Sequence, residues 1–174
     1  SGEHPVGNIQ QNTLKEIWNS PELQKWRQEF ISGDIKICNS PMKNFECHKM
    51  YSHLNDLVDL VTIQTLPPRR LDLRLNGKCN LECIMCDVWK QPNGLYNNSD
   101  LWTDGPEKIF PYLVEVDMLG GEPFIQKDTF KFIDAVSAVN KSCRWGFITN
   151  SSYVFNEKLK STLDKIELRH IHLS

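Results

Sequence analysis

The distribution of apolar side chains along the chain changes near Pro67 and Pro68. Before this point, apolar residues recur at intervals of three and four, which is the spacing of a helix that buries one face. After it, alternating segments typical of strands are separated by segments with helical spacing. The predicted strands are 71–75, 113–119, 144–149 and 167–173, and the predicted helices are 106–112, 128–140 and 155–163. The Pro-Pro pair therefore marks a predicted domain boundary.

The amino-terminal part predicts helices with recognisable ends. Apolar residues within 14–18 give a short first helix. Ser20 is placed to cap a second helix that begins with Pro21 and ends near Gly33. A third helix is predicted from 48 to about 62.

The second part is predicted to form a parallel sheet, because strands that alternate with helices pair through right-handed crossovers. We therefore predict an α/β fold in which residues 67–174 form about four parallel strands with helices. Residues 1–66 form a small helical segment in front of them. Functional residues of such folds gather at the carboxyl ends of the strands.

Three cysteines follow the first predicted strand: Cys79, Cys83 and Cys86, with the spacing C-x3-C-x2-C. Three thiols within eight residues cannot all pair with one another. Their clustering favours metal ligation in a reducing compartment, the cytoplasm, over the disulfides of a secreted protein. A structural zinc site usually takes four ligands that arrive as two close pairs. A [4Fe–4S] cluster held by three cysteines leaves one iron open to a further ligand.

Composition and charge exclude some partners. The formal charge of the 174 residues is −2, which gives no electrostatic reason to expect nucleic acid or an anionic membrane surface as a partner. No apolar run approaches the roughly 20 residues that a membrane span needs. The chain begins with Ser1 and ends on a predicted strand, so we expect it to be a piece of a longer protein.

A Gly-Gly-Glu-Pro run follows the second predicted strand, at Gly120, Gly121, Glu122 and Pro123. Paired glycines let a backbone approach a ligand closely, and Glu122 can bind an ammonium group by a charge-assisted hydrogen bond. Alone, the run is typical of an ordinary strand-to-helix turn. It falls, however, at the same predicted sheet edge as the cysteine loop.

These two motifs, in this order, resemble those of the radical S-adenosylmethionine (SAM) superfamily over residues 70–174. The resemblance implies the first part of a (β/α)6 barrel, truncated after the fourth strand. It also implies that Cys79, Cys83 and Cys86 ligate a [4Fe–4S] cluster whose open iron binds SAM. Reductive cleavage of SAM would then give a 5′-deoxyadenosyl radical.

The resemblance suggests further cofactor contacts. Besides the Gly-Gly-Glu-Pro turn, these are Met85, Asn150 and Ser174. An aromatic residue is common in the family at the position of Met85, and a flexible thioether can fill the same apolar space. His170 and His172 share one face of the last strand with Ser174, and we interpret them as polar lumen or surface residues.

The amino-terminal segment, including Trp18 and Trp26, resembles the helical part of a SPASM or twitch module. The resemblance implies a peptide or protein substrate, a reductant such as flavodoxin or ferredoxin, and an auxiliary Fe–S cluster. Cys38 and Cys47 are the candidate auxiliary ligands, although they are nine positions apart. Such a cluster would need further ligands from His48 or His53, or from a part of the protein beyond this chain.

Two alternatives remain open from the sequence. A non-catalytic Fe–S electron-transfer protein would be brown and would never convert SAM to 5′-deoxyadenosine. A structural zinc or thiol module would be colourless and would bind about one zinc ion. The Gly-Gly-Glu-Pro turn favours the SAM enzyme, because neither alternative needs a turn that a ligand can approach.

Overall fold

The computed structural model describes residues 5–36, 53, 59–91, 93–94 and 96–174. The chain separates into two compact units, Ser1–Arg69 and Arg70–Ser174. The candidate auxiliary ligands Cys38, Cys47 and His48 lie outside the described residues. Within the described part, no helix is long and apolar enough to cross a membrane.

The first unit contains two capped helices among its described residues, α1 (Leu14–Trp18) and α2 (Pro21–Ser32). The hydroxyl of Ser20 accepts a hydrogen bond from the Leu23 N–H, at 3.4 Å, and Gly33 ends α2 with a left-handed φ of 77°. Both predicted helix ends are confirmed. The predicted third helix lies mostly outside the described residues, and its described end, 59–62, is not helical.

The second unit is an α/β fold built on four parallel strands in the order β1-β2-β3-β4, so the predicted fold class is confirmed. The strands are β1 (Arg70–Leu73), β2 (Glu115–Met118), β3 (Arg144–Thr149) and β4 (Glu167–Leu173). The helices are α3 (Asp100–Thr103), α4 (Gly105–Lys108), α5 (Lys127–Val139) and α6 (Glu157–Leu163). Short 3₁₀ turns occupy Val88–Lys90, Phe110–Tyr112 and Pro123–Ile125.

One face of the sheet packs an aromatic core against α5. The ring of Phe132 lies 5.1 Å from that of Phe110 and 5.8 Å from that of Trp145, both with edge-to-face geometry. Phe147 is also fully buried on this face. These apolar residues alternate with polar ones along the strands, which is why the opposite face carries charge.

The opposite face, called the polar face below, holds two buried carboxylates. Glu115 accepts hydrogen bonds from Arg144 at 2.6 Å and from Arg70 at 3.2 Å. Asp117 is bound by Arg169 at 2.7 Å and also by Arg70. The face therefore compensates its buried negative charge with guanidinium groups from the other strands.

Two irregularities of the strands bring Asp117 and β4 together across β3. The register shifts between Trp145 and Gly146, so that Arg169 and His170 both reach Asp117. A side chain at Gly146 would collide with the Asp117 carboxylate and the His170 ring. Glycine at this strand position therefore leaves the space in which β2 and β4 interact.

Candidate functional site

Three segments meet at the carboxyl ends of β1, β2 and β3: the start of the cysteine loop, the Gly-Gly-Glu-Pro turn and the loop after β3. The backbone N–H of Glu122 donates to the carbonyl oxygen of Lys78, at 3.0 Å. The side-chain amide of Asn150 donates to that of Asn80, also at 3.0 Å. The two sequence motifs are thus joined directly at one edge of the sheet.

The cysteine loop carries three unpaired thiols that are open to solvent to different degrees. Cys79 and Cys86 are partly exposed, and Cys83 is exposed. The backbone N–H of Cys86 donates to the carbonyl oxygen of Cys83, at 3.0 Å, and the Trp89 indole donates to the same oxygen at 3.3 Å. The loop therefore has internal structure around its second cysteine while its thiols remain accessible.

The thiols are not gathered around the position of a single ion. Among the described residues, no three His, Cys, Asp or Glu side chains are grouped to hold one metal ion. Sulfurs on one zinc ion would lie about 3.8 Å apart, given Zn–S bonds of about 2.3 Å in tetrahedral geometry. Each thiolate of a cluster binds a different iron, so cluster ligands are spaced more widely. Three free thiols on one accessible loop fit the cluster as a donor set.

The glycines of the turn allow it to approach the cysteine loop. Gly120 and Gly121 both have left-handed backbones, with φ of 82° and 53°. A Cβ atom at Gly121 would overlap the carbonyl oxygen of Lys78. The sequence suggests that the paired glycines let a ligand approach the turn. In the structure they also let the turn approach the backbone of the cysteine loop.

Gly121→Ala is expected to lower the free energy of unfolding by about 2 kcal/mol more than Gly120→Ala does. Both changes strain a left-handed backbone, but only the first drives a methyl group into a backbone carbonyl. A Cβ at Gly120 would lie 3.2 Å from the Cβ of Arg74, a contact that small shifts can absorb. Urea denaturation of the two variants measures the difference, and equal losses would show that the Lys78 backbone moves aside freely.

Gln126 holds the turn and the loop together, and sequence reasoning did not find it. Its side chain is 1% exposed, and its amide donates to the carbonyl oxygens of Lys78 at 2.8 Å and Gly120 at 3.0 Å. Both hydrogens of the amide group thus have partners. A single glutamine between an apolar turn and a helix carries no pattern that predicts this role.

Glu122 is turned into the protein. It is 0% exposed, and its carboxylate accepts hydrogen bonds from the Thr149 hydroxyl and the Asn150 N–H, each at 2.8 Å, and from the Phe124 N–H at 3.2 Å. These donors satisfy a buried charge and tie the turn to the end of β3. In this arrangement the carboxylate does not reach solvent. Binding of a ligand's ammonium group by Glu122 stays a prediction.

The remaining predicted contacts lie around this edge. Met85 is 84% exposed on the cysteine loop, and Pro123 is buried beneath the turn. Ser174 follows β4, and its N–H donates to the carbonyl oxygen of Thr149 at 3.0 Å, beside Asn150. Their contacts with a cofactor stay predictions.

Tyr153 packs below the turn and adds an apolar support. Its ring lies 5.1 Å from that of Phe124, and burial raises the pKa of its hydroxyl. The phenol therefore stays neutral and adds no charge beside the buried Glu122 carboxylate.

Comparison with known proteins supports an iron–sulfur module at the amino terminus. Residues 1–48 match the SPASM family, described as an iron–sulfur cluster-binding domain, which confirms the predicted SPASM-like segment. No curated protein gives a significant sequence match to the chain.

Solved structures give weak similarities. BtrN in complex with AdoMet and 2-DOIA is 15% identical, over 60% of this chain and 44% of BtrN, with a TM-score of 0.47. Streptococcus suis SuiB bound to precursor peptide SuiA is 16% identical, over 85% of this chain and 36% of SuiB, with a TM-score of 0.44. The chain spans less than half the length of either protein.

Proposed function

We propose that the chain carries the cluster- and SAM-binding part of a radical SAM enzyme. The observation that carries the proposal is the cysteine loop, whose three free thiols stand on a backbone anchored to the Gly-Gly-Glu-Pro turn. The SPASM match of residues 1–48 supports an iron–sulfur protein independently of that loop.

In this proposal, Cys79, Cys83 and Cys86 are the ligands of a [4Fe–4S] cluster. When bound, the cluster supplies the electron that cleaves SAM to methionine and a 5′-deoxyadenosyl radical, which takes a hydrogen atom from the substrate. The chain's own residues fix the geometry. Gln126 sets the distance between the turn and the loop, and Glu122 holds the turn on β3.

SAM would bind between the cysteine loop and the carboxyl ends of the strands. Met85, on the exposed part of the loop, is proposed to contact the adenine. The Gly120–Gly121 backbone is proposed to face the methionine part of SAM. Asn150 and Ser174 border the same edge from β3 and β4.

The SPASM-like segment suggests that the substrate is a peptide or protein and that a second Fe–S cluster takes part. Cys38 and Cys47 are the proposed contributors to that cluster, together with His48 or His53 or with ligands from a part of the protein beyond this chain. A flavodoxin or ferredoxin is the proposed electron donor, in the reducing cytoplasm where thiol ligands persist.

Anaerobic reconstitution with iron and sulfide tests the proposal. We expect a brown protein whose dithionite-reduced state gives an EPR signal, and we expect added SAM to change that signal because it binds the open iron. We also expect 5′-deoxyadenosine to form. A colourless protein that retains zinc would contradict the proposal, and a brown protein whose EPR signal ignores SAM would favour simple electron transfer.

A further inference from the structure

We propose that Asn150 donates a hydrogen bond to the thiolate of Cys79 and thereby raises the reduction potential of the cluster. The inference rests on the proposed function, which places the cluster on this cysteine. It makes Asn150 a positioning residue that acts through Cys79, in addition to bordering the SAM site.

The orientation of the Asn150 amide follows from its neighbours. Its oxygen accepts a hydrogen bond from the backbone N–H of Ser152, at 2.8 Å. Because a backbone N–H can only donate, the oxygen must face Ser152 and the NH₂ group must face the other way. That group lies 3.0 Å from the side-chain oxygen of Asn80 and 3.6 Å from the sulfur of Cys79. Its two hydrogens therefore have two acceptors.

The backbone holds this side chain in place. The N–H of Asn150 donates to the buried Glu122 carboxylate, at 2.8 Å. The next residue, Ser151, has a left-handed φ of 61°, and its N–H donates to the Thr149 hydroxyl at 3.1 Å. Non-glycine residues rarely adopt this conformation, and they keep it where the surrounding structure fixes the backbone. The loop is thus fixed in the shape that points Asn150 at Cys79.

Asn80 links the same two segments a second time. Its amide donates to the carbonyl oxygen of Ser152, while its oxygen accepts from Asn150. The Cys79 sulfur also accepts from the backbone N–H of Leu81, at 3.4 Å. The first cysteine of the loop therefore lies among hydrogen-bond donors.

Hydrogen bonds to the cysteine sulfurs of a cluster change its potential in a known direction. Reduction adds negative charge to the cluster and its thiolates, and donors stabilise that charge more in the reduced state. The donor from Asn150 is therefore expected to make the cluster easier to reduce. Outer-shell contacts of this kind commonly tune metal centres.

Asn150→Leu tests the inference because it keeps the approximate volume and removes the donor. At the midpoint potential of the native chain, we expect the ratio of reduced to oxidised cluster to fall about tenfold in the variant. For a one-electron couple this is a shift of about 59 mV to lower potential. A redox titration of the reconstituted chain, followed by EPR, measures it. Asn98→Leu, the same change at an exposed position, is expected to leave the potential unaltered.

The outcomes separate the two proposals. If the native chain takes up no cluster, the proposed function fails, and the inference fails with it. If it takes up the cluster and Asn150→Leu titrates at the native potential, only the inference is overturned. If the leucine variant does not retain the cluster, Asn150→Ala removes the donor with a smaller side chain and adds no charge. It must then titrate below the native chain, and a potential equal to or above the native value overturns the inference.

Discussion

Single replacement of Cys79, Cys83 or Cys86 by alanine is expected to abolish the visible absorption of the reconstituted cluster. Three thiolates are the fewest that hold a cubane with one open iron, so the loss of any one leaves two irons without a protein ligand. Cys83 is exposed, Cys79 and Cys86 are partly exposed, and all three thiols are unpaired, so we expect no single variant to be spared. Iron and sulfide analysis together with the absorption spectrum after anaerobic reconstitution measures the effect.

Cys143→Ala is the matched control. Cys143 is 0% exposed beneath the sheet, and burial raises the pKa of its thiol to about 12. It therefore stays protonated near neutral pH and is a poor ligand, because metals bind the thiolate. The control should keep its absorption. Retained absorption in all three loop variants would mean that the cluster ligands lie elsewhere.

Glu115→Ala is expected to lower the free energy of unfolding of the second unit by about 3–5 kcal/mol. Glu115 is 0% exposed and is bound by the guanidinium groups of Arg70, Arg144 and Arg169. Removing one side of a buried ion pair leaves the other charge without compensation, and here one carboxylate serves three positive groups. Urea denaturation followed by circular dichroism measures the change.

Asp134→Ala is the matched control for Glu115→Ala, because it removes an ion pair that is exposed to water. Asp134 binds Lys165 at 2.6 Å, but both side chains are about half exposed, at 57% and 49%. Exposed pairs contribute at most about 1 kcal/mol, so we expect a small loss. If Glu115→Ala lowers the free energy of unfolding no more than Asp134→Ala does, the arginines of the polar face become hydrated when the carboxylate is removed.

The fold was predictable wherever local pattern determines it. β3 and β4 begin and end at the predicted residues. β3, for example, is a run rich in aromatic and β-branched residues between the polar segments 140–142 and 150–152. The predicted helix over 106–112 is instead divided into α4 and a 3₁₀ turn. Pro111 lies inside that segment, and proline cannot donate the hydrogen bond that continues a helix. The apolar spacing therefore predicts the extent of this segment but not the break within it.

The sequence predicts the motifs of the site but not the hydrogen bonds that join them. Cysteine and glycine spacings are local, so both the loop and the turn could be placed at one edge of the sheet. The contacts of Gln126 with Lys78 and of Glu122 with Asn150 join residues 48 and 28 positions apart. Such contacts depend on which backbone groups come within reach after folding. The sequence predicts that Glu122 binds a ligand's ammonium group, and it gives no sign of the donors from Thr149 and Asn150 that meet the buried carboxylate.

Gly146 has a consequence for how motion would spread through the sheet. Since no side chain stands between them, Asp117 on β2 touches Arg169 and His170 on β4 directly. β2 and β4 are therefore linked by direct side-chain contacts, although β3 lies between them in the sheet. A displacement of β4 would pull on an acidic group two strands away and on the arginine of β1 that shares it.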